Sequence, residues 1–96
     1  MTRPKSDGKP TRDAMVAAGL FPEDDARDPT TDRSAAQVVI DWMTRSGWRY
    51  EFMSRNGAFK VAFAKPWKQR RWSRAKDECE AICRAALAMV EGNRAA

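Results

Sequence analysis

The sequence predicts an α+β fold: an α-β-β-β-α two-layer sandwich in which an antiparallel three-stranded sheet carries two helices on one face. Three observations carry this reading. Across residues 34–45 the apolar positions recur at helical spacing. From Trp48 the period changes to two, and an Asn56-Gly57 pair divides two alternating runs. Across 79–90 a helical stripe returns.

The 96 residues suffice for one small core and not for two. The first third is rich in breakers, with Pro4, Gly8, Pro10, Pro22 and Pro29 around the acidic run Glu23-Asp24-Asp25. Residues 1–33 therefore read as a flexible N-terminal arm. One short helix fits over 11–19, where Asp13 suits a helix N-terminus and Ala14-Met15-Val16-Ala17-Ala18 follow. Met15-Val16 and Leu20-Phe21 form an apolar knot able to dock. The plainer expectation is a solvated tail that rests on its own domain or nowhere. The domain is expected over 34–92, with 93–96 a tail.

Ser34-Ala35-Ala36-Gln37 fits a capping box, so the first main helix is expected over about 35–45. Ala35, Val38, Val39, Trp42 and Met43 form its apolar stripe, Ile40 widens it, and Gly47 ends it. Trp48, Tyr50 and Phe52 then alternate with Arg49, Glu51 and Met53, as in a half-buried strand. A two-residue turn at Asn56-Gly57 pairs residues whose numbers sum to 113, so Tyr50 faces Phe63, Phe52 faces Val61, and Ser54 faces Phe59. A slip of one residue would reverse every side chain. The other face sets Arg49, Glu51, Met53 and Arg55 against Ala64, Ala62, Lys60 and Ala58, a pattern of small residues beside long cations that suits an open surface.

Pro66 interrupts the sheet. Residues 69–73 are expected to form the third strand, carrying basic side chains with Trp72 turned inward. The last helix is marked by Cys79, Ile82, Cys83, Ala86, Leu87 and Val90 on one stripe, by Asp77 and Glu78 at its positive end, and by Gly92 as its stop.

Net charge is +5, unevenly placed: residues 1–33 hold six Lys/Arg against seven Asp/Glu, and 34–96 hold twelve against six. Lys65, Lys68, Arg70, Arg71, Arg74 and Lys76 follow one another with no acidic residue among them. Such a surface attracts phosphate polymers, anionic membranes or acidic proteins. A membrane is the weakest of these, because neither helix joins a lysine-rich face to a bulky apolar one and no apolar run approaches a span. Met1-Thr2-Arg3-Pro4-Lys5 is followed by polar residues and does not read as a secretory signal, so a cytoplasmic setting is expected.

Catalysis has little footing. The chain has no His, and neither a carboxylate pair nor an activated Ser is recognisable, so a non-enzymatic protein without cofactor is expected. Cys79 and Cys83 lie four apart on the apolar stripe. That spacing suits core packing, lacks the further ligands zinc needs, and has the wrong geometry for a disulfide.

The order helix, three strands, helix resembles that of double-stranded-RNA-binding domains, whose cations at the start of the last helix lie across the RNA groove. Arg70, Arg71, Arg74 and Lys76 stand in a comparable place, although the tight turn at Asn56-Gly57 lacks that family's groove-reaching loop. The segments Gly47-Trp48 and Ala81-Ile82-Cys83-Arg84-Ala85-Ala86-Leu87 are similar to those of small phage and prophage proteins of the "ABA sandwich" type. That likeness covers residues 34–90 and implies phage origin and a bacterial host.

Two functions are expected from the basic surface. In the first, Lys60, Lys65, Lys68, Arg70, Arg71, Arg74 and Lys76 neutralise phosphates of a nucleic acid or ribonucleoprotein while Trp67 stacks on a base. In the second, the same cations with Trp67 and Arg49 occupy a host defence protein, as an inhibitor of the anti-CRISPR kind. The bland alternative is a solvated face that keeps the domain soluble. A self-complementary alanine face would make a third class, a dimerising structural protein.

Overall fold

The Asn56-Gly57 turn sets the sheet. In the computed structural model both residues have positive φ, 53° and 75°, as a two-residue hairpin turn requires. Strand β1 (Arg49–Arg55) thereby pairs antiparallel with β2 (Ala58–Ala64) in the expected register, with Tyr50 opposite Phe63, Phe52 opposite Val61 and Ser54 opposite Phe59. Strand β3 (Ser73–Ala75) pairs antiparallel with the first half of β2, so the order is β1-β2-β3 and β2 is central. The structure describes residues 9–67 and 71–95, the last four of these by backbone alone.

Among the described residues three helices accompany the sheet: α1 (Arg12–Ala17), α2 (Arg33–Arg45) and α3 (Glu78–Ala95). Val61 and Phe63 of β2 are fully buried in one core with Val39 and Met43 of α2 and with Ile82, Cys83 and Ala86 of α3. The sandwich of helices on one face of an antiparallel sheet is as expected.

In the N-terminal segment the short helix and the apolar knot stand where expected, and the knot is docked on the chain's own core. From Pro10 onward the segment is packed, with Met15, Leu20 and Phe21 at 0%, 1% and 4% exposure inside the common core. The folded body thus begins well before residue 34, and only residues 1–8 of the expected arm lie outside the described residues. The physical reason is a clamp. The Arg12 guanidinium donates to the backbone carbonyls of Glu23, Asp25 and Arg27 at 2.8, 2.6 and 3.1 Å, so one side chain satisfies a loop that makes little regular structure. Arg27 in turn meets the Asp25 carboxylate at 2.6 Å, which, chiefly through that hydrogen bond, holds the Asp25 pKa down at about 2.

Other corrections are local. Asp32, not Ser34, caps α2: its Oδ1 accepts from the amides of Ser34 and Ala35 and from the Ser34 hydroxyl. A charged acceptor collecting three donors wins over a hydroxyl two residues later. Gln37 instead accepts from Arg33 and donates to Asp41 along the exposed side of the helix. The buried face centres on Ala36, Val39, Ile40 and Met43, while Trp42 is 37% exposed. Helix α3 runs through Gly92 to Ala95. A helical glycine costs only about 1 kcal/mol, and the Ala and Arg that follow favour continuation.

The third strand also moves, from 69–73 to Ser73–Ala75. Ser73 and Ala75 face the helices opposite Val61 and Phe59, where α3 packs closely over β2 and β3 and small side chains fit. Trp72 therefore is not turned inward. It is 39% exposed, and the register continued one residue sets it opposite Ala62, on the far side of the sheet.

Candidate nucleic-acid interface

Among the described residues no helix belongs to the outer face of the sheet, which the pleat builds from alternate residues. Arg49, Glu51, Met53 and Arg55 come from β1, Ala64, Ala62, Lys60 and Ala58 from β2, and Arg74 from β3. In register these form rows. One row is Met53, Lys60 and Arg74. The next, about 7 Å along the strands, is Glu51 and Ala62, with Trp72 beyond them where the β3 register is continued one residue.

Lys60 and Arg74 stand directly opposite one another. Like charges opposed on a sheet destabilise it, and no described acidic side chain forms an ion pair with either. Their neighbour in the row is Met53, 42% exposed. Arg49, whose side chain is 76% exposed, lies 4.0 Å from the Glu51 carboxylate. Glu51 is the acid of this face among the described residues, set against Arg49, Arg55, Lys60 and Arg74.

Ala62 is fully buried although it lies on the uncovered side. A methyl group cannot shield itself. The cross-strand neighbour of Ala62 in β1 is Glu51, and the β3 register continued one residue sets Trp72, 39% exposed, on its other side.

At the end of the hairpin Lys65 turns over the ring of Trp48, its Nζ 4.5 Å from that centroid and 5.6 Å from the centroid of Trp67. Trp48 is buried and Trp67 is 78% exposed, so the ammonium sits between an anchored indole and an outward one, an arrangement favoured by the ring quadrupoles. A cleft of about 640 Å³ opens beside it, with Thr44 and Gly47 on one side and Arg49, Glu51, Ala64 and Lys65 on the other. Arg49, Glu51 and Ala64 belong to both cleft and sheet face, so the two surfaces are continuous.

Of the residues the sequence singled out, the structure brings Arg49, Lys60 and Arg74 onto the open face and stacks Lys65 with Trp67. Arg71 and Lys76 are exposed on either side of β3. Lys68 and Arg70 lie outside the described residues. Trp72, Met53 and Arg55 were not among the expected site residues. The parity of β3 would have revealed Trp72, had its register been readable.

Both cysteines are buried and unbridged. Burial above all pushes the Cys83 thiol up to about 12 and raises that of Cys79. Among the described residues no group of three His, Cys, Asp or Glu side chains is placed to hold a metal ion, and no helix is long and apolar enough to cross a membrane. Comparison with protein-family models, with curated proteins and with solved structures finds no match.

Proposed function

We propose that this protein is a non-enzymatic module that binds nucleic acid, free or within a ribonucleoprotein, through the open face of its sheet. The observation that carries the reading is the opposition of Lys60 and Arg74 in a row without a carboxylate. Such a pair works against the sheet's own stability, and a phosphate placed between the two side chains converts repulsion into two charge-assisted contacts. Arg49 and Arg55 extend the positive field along the hairpin.

Fluorescence anisotropy with labelled duplex RNA, duplex DNA and single-stranded RNA, at low and near-physiological salt, tests it. Binding at micromolar concentration or tighter, falling steeply with salt, is the expected result. Replacing Lys60 and Arg74 together by Ala lowers the slope of log affinity against log salt by about two. Absence of binding to all three at low salt overturns the reading.

A second reading, a phage-type inhibitor that occupies a host defence protein, rests on the exposed Trp67, Met53 and Arg49, residue types that anchor protein interfaces. Capture from a nuclease-treated bacterial lysate separates the two. A protein retained after nuclease favours the inhibitor, and loss of every partner favours nucleic acid.

A further inference from the structure

We infer that the open edge of β1 is a docking site for an extended segment of a partner protein, which adds to the sheet as a further strand and sets acidic side chains against Arg49 and Arg55. The inference goes beyond the nucleic-acid reading and does not rest on it.

The two-residue turn decides which backbone groups the edge presents. It makes Arg55 and Ala58 a hydrogen-bonded pair, and bonded pairs alternate from there, so Met53 bonds Lys60, Glu51 bonds Ala62 and Arg49 bonds Ala64. Tyr50, Phe52 and Ser54 therefore turn their N–H and C=O groups away from β2, and no described backbone group meets them there. Proteins ordinarily blunt such an edge with a short strand, a proline or a bulge. The opposite edge follows that rule, since β3 is three residues long. Strand β1 runs for seven with neither proline nor bulge.

The side chains define the occupant. On the helix side Phe52 is 44% exposed although its cross-strand partner Val61 is fully buried, because α3 packs chiefly on β2 and β3. The Phe52 ring centroid lies 5.9 Å from that of Phe59 and 6.5 Å from that of Tyr50, so an aromatic shelf ends at the edge. Apolar side chains of an added strand would stand beside it at cross-strand distance. On the outer side Arg49 and Arg55 mark the two ends of β1, about 20 Å apart. Arg55 is exposed and forms no ion pair among the described residues, and Arg49 has a 4.0 Å contact with Glu51. A second copy of this chain fits poorly. The antiparallel register that pairs all the open residues centres on Phe52 and sets each Arg49 against an Arg55, and like charges so opposed destabilise a sheet. A segment with an acidic residue at each end meets both cations.

The test uses a fluorescein-labelled peptide, Asp-Val-Thr-Val-Thr-Val-Asp, in anisotropy at low salt. It places valines opposite Tyr50, Phe52 and Ser54 and aspartates opposite Arg49 and Arg55, and it reads the same in both directions. Beside it are run a peptide with lysine for both aspartates, one N-methylated at the valines and one N-methylated at the threonines. Only the valine amides point at β1. The inference expects saturable binding that falls roughly tenfold or more with the lysine and valine-methylated peptides and survives methylation of the threonines. Ser54→Pro removes an edge donor that β2 does not use, so the hairpin is kept. Phe52→Thr removes the shelf while keeping a strand former. Both variants, checked for folding by thermal melting, lose the peptide by a similar factor. No saturable binding, equal binding of the two methylated peptides, or equal binding of the lysine peptide overturns the inference. Sedimentation of the protein alone is expected to show a monomer. A dimer that Ser54→Pro dissociates would give the edge to a second copy and overturn the acidic partner.

Discussion

The Cys83 thiol donates to the carbonyl of Pro29 across 3.4 Å, and both residues are fully buried. This contact joins the last helix to the loop before α2, fifty-four residues away in the chain. It satisfies a proline carbonyl that no ladder reaches, and it places a titratable group in the core.

That placement sets an alkaline limit on stability. The folded thiol titrates at about 12, against an ordinary value of 9.0, chiefly because burial disfavours the thiolate. Below pH 9 the thiol is neutral in both states and nothing changes. Above pH 9 the unfolded chain loses the proton while the folded one keeps it, so stability falls as pH rises, with a limiting slope of about 1.4 kcal/mol per pH unit. Urea melts at pH 8.0 and 10.5 measure this, and Cys83→Ala shows a shallower decline over the same interval. An equal decline in both proteins would assign the effect to other groups.

The N-terminal segment is expected to be part of the cooperative unit. Met15 is at 0% exposure, so Met15→Ala leaves a cavity and costs about 2–5 kcal/mol. The lost stability would appear in the single unfolding transition of the whole domain, followed by tryptophan fluorescence. A solvated arm would give no change.

The contrast between hairpin and arm explains how much of the molecule was legible in its sequence. Asn56-Gly57 closes a ladder whose partners are near in the chain, so the turn alone fixes every pair from Arg55 with Ala58 to Arg49 with Ala64. Arg12 reaches carbonyls eleven to fifteen residues away, and a backbone acceptor leaves no mark in a sequence. The same holds for the site. Lys60 and Arg49 followed from hairpin parity. Trp72 did not, because its side depends on how α3 lies across Ser73 and Ala75, a packing decision with no local signal. The choice between Asp32 and Ser34 as cap was a competition between two adequate residues.

Gly57 carries the turn through its backbone alone. Its φ is +75°, and a Cβ added there would meet nothing within 4 Å. Gly57→Ala therefore brings no clash, only the left-handed penalty of an L-residue, about 1–2 kcal/mol. Chemical denaturation would show that loss with an unchanged m-value. Gly57→Asn costs less, since Asn tolerates this region.

Lys60→Glu separates stability from binding. The substitution turns the Lys60–Arg74 opposition into a cross-strand pair of opposite charge, which should stabilise the sheet by about 0.2–1 kcal/mol. If the face served only solubility, the variant would be the better protein in every respect. If it holds phosphate, the gain in melting temperature comes with a loss of nucleic-acid affinity, a salt slope reduced by about one or more, and repulsion of the strand by the new carboxylate. Arg74→Glu produces the mirror-image pair and the same two shifts. Raised stability with unchanged affinity in both variants would remove Lys60 and Arg74 from the interface. Raised stability with lost affinity in both would show that the sheet forgoes a stabilising ion pair to keep its cations available to a ligand.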